Sequence, residues 1–434
     1  MHRAVEEILR GVIFSRNFLI GGGFTALLAG LAVGQIVLNK SEAQGVMAPK
    51  FEVDPLWPKP LPNHWVLGSV IGVWVDADDN IWIIQRPGSL GIHENQLDTK
   101  LGDCCAAAPP VLEFDQAGNL LEHWGGPGPG YDWPTSNHGI FVDYKGFVWI
   151  GGNGAGDSQI LKFTKDGKFV AQYGKPNARV APCPTEANAA TNAEVDGAAT
   201  GRTPGAGGRT PRVCYAGGSN DPNNFGRVAK IYVDREDNEA YVADGYLNKR
   251  VAVLDADTGK MKRWWGGYGH KPDDTPVPAY DPSQPIDQQF RSPVHCAMMS
   301  EDRLVYVCDR VNDRLQVFTP EGKFVKEAFY YRNTRSDGSV WDLAFSKDPQ
   351  QRYIYMADGV NDKVRIIDRQ SLKEITNFGD GGRQPGEFHA VHSIATDHEG
   401  NIYTTETYEG KRIQRFVNKG MAPVTKFDQG VLWP

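Results

Sequence analysis

Basic charge is in short supply. The 434 residues carry 46 Lys and Arg against 53 Asp and Glu, for a formal charge of −7. That balance argues against a broad basic face for nucleic acid, and no DNA- or RNA-binding motif is present. Cysteine is also sparse: the six residues include no CxxC pair, which argues against a cysteine zinc site. The 49 Gly and 28 Pro are scattered rather than periodic, which excludes a collagen, and 40% hydrophobic residues are too many for a disordered chain. Aromatic residues, by contrast, are plentiful, with 11 Trp, 16 Tyr and 19 Phe. Together with so much glycine they indicate many short strands joined by turns and exclude an all-helical protein.

The N-terminus is a separate object. Residues 17–38 run 22 positions without a charge, after Arg3, Arg10 and Arg16 and before the polar stretch NKSEAQG. Such a run is long enough to span a membrane, and the preceding arginines keep that side in the cytoplasm. The competing reading is a signal peptide cleaved after Ala43, although the run exceeds the ~7–15 residues of a signal core. Residues 1–45 are thus expected to form a transmembrane or signal helix. Residues 46–434 then lie in the periplasm or outside the cell, anchored to the inner membrane if the helix is uncleaved. In that compartment an even cysteine count favours disulfides. Cys296 with Cys308, Cys183 with Cys214, and the adjacent Cys104 and Cys105 are the candidate pairs; sequence alone does not decide among pairings.

One phrase recurs through the body: an apolar strand ending in Asp or Ser, a turn, then a strand holding an aromatic. The copies begin at Gly72, Gly139, Lys230, Cys296, Asp342 and Ser393, with turn residues Asp76, Asp143, Asp234, Ser300, Ser346 and Asp397. Each hairpin is followed by a third strand (VLEFD, ILKFT, VAVLD, LQVFT, VRIID, IQRFV), and the first five by a fourth. Six four-stranded meanders predict an all-β, six-bladed β-propeller. Residues 51–54 (FEVD) are expected to supply the missing sixth fourth strand, because an unclosed ring leaves bare strand edges. Three insertions, 86–110, 175–220 and 268–289, all emerge on one face by this strand order. Loops on a rigid scaffold are where function usually sits.

Five residues before each turn residue stand Ile71, His138, Ala229, His295, Trp341 and His392. Three alternate blades therefore aim imidazoles at the propeller axis. A single inner-strand histidine is usually a hydrogen-bonded channel residue. Three at one repeat position match a three-ligand zinc site with an open fourth position, or a metal strut tying the ring together. The other histidines share no repeat position, although His389, three before His392, is placed for a supporting role. On the same face, the second strands end at Arg86 in blade 1 and Arg310 in blade 4, and Tyr246 follows the second strand of blade 3. Arginine near a dication can clamp an anion bidentately, and a tyrosine there can serve as a base. The shared turns DGYLN, DRVN and DGVN read as structural, their Asp and Asn closing the turn.

Through VIGVWVDADDNIWIIQRP, SNHGIFVDYKG, ADGYLNKR, SPVHCAMM, CDRVNDRLQVF and FHAVHSIATDHEGNIY, the body resembles a known family over roughly residues 51–417. The turns resemble NHL repeats. The whole resembles peptidyl-α-hydroxyglycine α-amidating lyase, the lyase domain of peptidylglycine α-amidating enzymes, and its bacterial relatives. The resemblance implies zinc held by His138, His295 and His392, with Arg86 and Tyr246 as the catalytic pair. It also implies a structural calcium in the channel near Ile71, Gly72, Ile140 and Ser393. The implied reaction splits a carbinolamide into an amide and glyoxylate. The sequence departs from the family pattern at Ala390 (usually Met), at Ser393 (usually Asp), in lacking cysteines beside the tyrosine turn, and in its large insertions.

The leading expectation is an exported, zinc-dependent lyase-like enzyme acting on an α-hydroxyglycine or related small molecule or peptide. In that reading Arg86, with Arg310, holds a carboxylate, and Tyr246 takes the proton. The alternative is a non-enzymatic propeller that binds a protein or glycan on its insertion-bearing face and keeps a structural metal. A calcium-dependent lactonase is a third reading, for which only Asp342 offers a channel carboxylate.

Overall fold

The computed structural model describes residues 45–181 and 214–434. Residues Pro49–Gly420 and Lys426–Pro434 form the propeller. The remaining described residues, 45–48 and Met421–Thr425, belong to a separate small unit, in which the Val424 amide donates to the Val46 carbonyl at 2.8 Å. The expected membrane or signal helix lies outside the described residues. Among the described residues no helix is long and apolar enough to cross a membrane.

Six four-stranded antiparallel sheets make the blades. From the axis outward, blade 1 is Ser69–Val75, Ile81–Arg86, Val111–Phe114 and Leu120–Trp124, and blade 2 is Asn137–Val142, Phe147–Gly152, Gln159–Thr164 and Phe169–Gly174. Blade 3 is Val228–Asp234, Glu239–Asp244, Arg250–Asp255 and Met261–Trp265, and blade 4 is Val294–Met299, Val305–Asp309, Arg314–Phe318 and Phe324–Phe329. Blade 5 is Asp342–Phe345, Tyr353–Asp358, Lys363–Asp368 and Lys373–Phe378. Blade 6 is Val391–Thr396, Ile402–Glu406 and Ile413–Pro423, completed by Met47–Asp54 from the other end of the chain. The closure expected of residues 51–54 is therefore observed. Phe51, 1% exposed, packs edge-on against Tyr355 of blade 5 and beside Phe378. One ring of strands thus has its outermost seam sealed by apolar burial as well as by hydrogen bonds.

The repeated phrase has a physical basis in its turn residue. Asp76 Oδ1 accepts from the amides of Asp78 and Asn80, closing the hairpin, while Oδ2 accepts from the Trp82 indole at 3.0 Å. Asp143 does the same for Lys145, Phe147 and Trp149. Asp397 does so for Asn401 and Tyr403. One carboxylate fixes both the turn and the buried aromatic that fills the space between blades, which is why the two recur together. Where Ser300 and Ser346 replace the acid, the hydroxyl accepts from the amides of Leu304 and Tyr353.

The Asp–Asn turns are structural, as the sequence indicates, but they also hold an arginine. Asn248, Asn312 and Asn361 donate to Asp244, Asp309 and Asp358. Arg250, Arg314 and Arg365, on the neighbouring third strands, pair with the same acids. In blade 4 both partners are fully buried, with Arg314 Nη2 2.7 Å from Asp309. Burial pushes the Asp309 carboxyl up, so the pair persists only because the guanidinium sits beside it. Removing one member of a buried pair typically costs about 3–5 kcal/mol, whereas replacing both with apolar groups is often neutral. Arg314→Met should therefore lower unfolding free energy by about that amount in a urea titration. Adding Asp309→Asn should recover part of the loss; equal stability of wild type and Arg314→Met would exclude this account.

Register places the insertions. Ser69 pairs with Arg86 and Val111 with Trp124; Val228 pairs with Asp244, and Val251 with Trp265. The start of strand one, the end of two, the start of three and the end of four thus share one face. The segments after Arg86, Gly174 and Trp265 all leave from it. Cys104 and Cys105 in the first insertion, and Cys296 and Cys308 on paired strands of blade 4, lie at disulfide distance. The expected pair Cys183–Cys214 falls on Cys183, outside the described residues.

Candidate metal and catalytic site

The innermost strands do not run evenly where the histidines stand. Their pairing slips by one residue at Ile71, Ala229, His295 and His392, and at Gly139, just after His138. A bulge bends the strand and re-aims a side chain, and here the bulged segment meets the axis. Gly139 has φ +67°, and a Cβ there would lie 2.4 Å from the Ala229 carbonyl oxygen, so only glycine fits. In blade 5 the equivalent Trp341 lies just ahead of the strand.

The three imidazoles converge. One ligand atom from each of His138, His295 and His392 lies within 4.8 Å of the others, and all three residues are buried. The ring centroids are 4.9–5.2 Å apart, close to an equilateral triangle. Nδ1 of His138 faces the carbonyl of Ala229 at 2.7 Å, and Nδ1 of His295 faces that of Trp341 at 2.5 Å. Each carbonyl belongs to the same repeat position one blade on. A carbonyl only accepts, so Nδ1 carries the proton and the Nε2 lone pair is left for the axis, the usual support of a metal-bound histidine. His392 has no such carbonyl: its Nδ1 is buried without a hydrogen-bond partner. Burial holds all three rings well below the usual histidine range. Arg86 adds to the effect at His138, Arg310 at His295, and the two other rings at His392. Three neutral imidazoles, one with an orphaned nitrogen, form a donor set that suits a zinc ion.

The structure brings the expected tyrosine and arginines to the same place. The Tyr246 hydroxyl lies 3.0 Å from Nε2 of His138 and 3.1 Å from Nε2 of His295. Its amide donates to the Arg227 carbonyl, which fixes the turn that carries it. Arg310, 2% exposed, reaches the Tyr246 hydroxyl at 3.4 Å and Asp337 Oδ1 at 3.0 Å, and stacks on Trp341. Its Nε is buried without a partner. Tyr408 donates to the second oxygen of Asp337. Arg86 donates from Nη2 to Asn153 Oδ1 at 2.8 Å and from Nε to the Asn137 carbonyl, and burial pulls its guanidinium below the usual value.

His389 is not part of this group; its ring faces Glu409 at 3.6 Å from a position 40% exposed. Three participants were not read from the sequence. Asp337 sits between blades 4 and 5, where no repeat position marks it, whereas Tyr408 lies between the second and third strands of blade 6, two residues after Glu406 as Tyr246 is two after Asp244. Arg227 precedes the innermost strand of blade 3, fully buried, with Nε on the Asn153 carbonyl and Nη1 without a partner. It joins Arg86 through Asn153, a link that runs across blades 1, 2 and 3. At the opposite end of the channel a larger cavity, of about 540 Å³, is lined by Trp74, Tyr232, Met298 and Phe345 and is remote from the histidines.

No family model matches the chain. Among solved structures it is similar to a streptogramin B lyase, at 13% identity over 86% of this chain and 98% of that one, with a TM-score of 0.46. It is also similar to virginiamycin B lyase from Staphylococcus aureus, at 12% identity over 87% and 90%, with a TM-score of 0.43. A protein of unknown function from Bacteroides thetaiotaomicron matches at 11% identity over 86% and 77%, with a TM-score of 0.46.

Proposed function

We propose that this propeller is a zinc-dependent lyase-like enzyme that splits an α-hydroxyglycine or related carbinolamide compound. The observation that carries the reading is the Tyr246 hydroxyl held against two of three converging imidazoles, with Arg310 in reach of it. The NHL-type turns and the amidating-lyase motifs around these residues support it. His138, His295 and His392 would hold Zn²⁺, which supplies Lewis-acid polarisation of a substrate oxygen.

The chain's own residues do the rest. Arg86 and Arg310 hold the substrate carboxylate on the insertion-bearing face, as guanidinium forks do. Tyr246, acting as the phenolate, takes the proton of the carbinol hydroxyl. The C–N bond then breaks as the hydroxyl carbon becomes the aldehyde of glyoxylate. The proton passes to the departing nitrogen, giving R-CO-NH₂ and OHC-COO⁻ from R-CO-NH-CH(OH)-COO⁻ with no atom gained or lost.

The paired cysteines at 104–105 and 296–308 support an oxidising compartment. With the charge-free segment 17–38 they favour a body exported to the periplasm or cell exterior and tethered to the inner membrane. The test is direct. Zinc-loaded protein incubated with an N-acyl-α-hydroxyglycine should release glyoxylate and the amide in equal amounts. Absence of both, with zinc bound, would move the non-enzymatic reading ahead, in which the insertion-bearing face binds a protein or glycan.

A further inference from the structure

The channel below the histidines is where the resemblance puts calcium, and its residues do not suit that ion. Ca²⁺ takes six to eight oxygen ligands at ~2.3–2.6 Å. The carboxylate beside Ser393 is Asp342, and its oxygens are already taken. Lys230 Nζ lies 2.7 Å from Oδ1 and 2.6 Å from Oδ2. Ser393 Oγ donates to Oδ2 at 2.6 Å, the Ile394 amide donates to the same oxygen, and the Leu343 amide donates to Oδ1. Lys230 and Asp342 are buried to 5% and 2% exposure. The pair borders a small void shared with His138, His295 and His392.

We infer that the Lys230 ammonium occupies the position of a channel cation, so that this propeller carries its axial charge covalently and takes no second metal ion. The three residues that meet come from three blades: Lys230 from blade 3, Asp342 from blade 5 and Ser393 from blade 6. The family pattern has an aspartate at the Ser393 position. Here the acid comes from the neighbouring blade, Ser393 becomes a donor to it, and a lysine supplies the counter-charge. An ammonium with three donors does for Asp342 what a divalent ion would do, and it links blades 3 and 5 across the axis. It also fills the channel beneath the histidine triad, so ligands reach the triad from the insertion-bearing face. None of this depends on the lyase reading.

The experiment is a thermal-melt and calorimetric comparison of the zinc-loaded full chain with CaCl₂ and with the calcium chelator EGTA. Wild type should keep its Tm in both and show no calcium binding by titration calorimetry. Lys230→Met leaves Asp342 buried and unpaired; it should melt several degrees lower in EGTA and regain Tm in millimolar CaCl₂. A wild-type protein that binds one calcium per chain, or loses Tm in EGTA, overturns the inference. So does a folded Lys230→Met variant indifferent to calcium. If that variant does not fold, Lys230→Met with Asp342→Asn removes both charges and should fold without calcium, and the wild-type titration still decides.

Discussion

The purified chain should carry about one Zn²⁺ per molecule, and His138→Ala, His295→Ala and His392→Ala should each release it. The three ligand atoms are already within 4.8 Å of one another in a buried setting, so little ordering remains to be done on binding. Two rings have their Nδ1 fixed by backbone carbonyls. Losing such outer support alone typically costs roughly 10–100-fold in metal affinity; losing a ligand should cost more. Elemental analysis after gel filtration, with a chelator competition for affinity, reads this out. His389→Ala serves as the control and should retain the metal, because its ring faces Glu409. Full zinc occupancy in all three triad variants would remove the axial site. A wild type that purifies with a different divalent ion at the same stoichiometry would keep the site and change the metal.

The architecture was legible because one residue type did two jobs in three of the six repeats. Asp76, Asp143 and Asp397 each close a hairpin and anchor the aromatic of the next strand, so turn and strand signals arrive together at a fixed spacing. Counting from that turn located the three histidines, since a repeat position is also an axial position. The count does not reveal the bulges that aim them: these strands are buried on both faces, so a one-residue slip in pairing breaks no alternation of apolar and polar residues. Nor does it reveal the site's supporting charges. Asp337 lies on the connection between blades 4 and 5, Tyr408 on the loop between the second and third strands of blade 6, and Arg227 acts through Asn153 of the preceding blade. Lys230 is the instructive case. It sits inside a recognisable strand, next to the blade-3 repeat position, and reads there as a hairpin residue. Its partner Asp342 is 112 residues away, and only ring closure brings an ammonium and a carboxylate to opposite sides of one channel.

Tyr246→Phe should cut turnover of an α-hydroxyglycine substrate by ~10²–10⁴-fold, the usual contribution of a general base, while zinc stays bound. The substitution is clean. Tyr246 is 5% exposed and its ring packs edge-on against His138 and His295 at 5.0 and 5.8 Å, contacts that a phenylalanine keeps. What disappears is one oxygen that touches His138, His295 and Arg310. If that oxygen only braced the triad, its loss would loosen the metal and leave turnover per bound zinc unchanged. If it accepts the proton, occupancy holds and kcat falls. Measuring zinc content and kcat on the same sample separates the two. Arg86→Ala, in the same assay, should raise KM for carboxylate-bearing substrates more than for their amides. Wild-type turnover in a zinc-loaded Tyr246→Phe protein would remove the phenol from the mechanism. Asp337, which Arg310 links to the site, would then be a candidate acceptor, but it is already engaged by Arg310 and Tyr408. A pair so engaged is a poor proton acceptor, and so the phenol between two imidazoles is the group on which the proposed chemistry stands or falls.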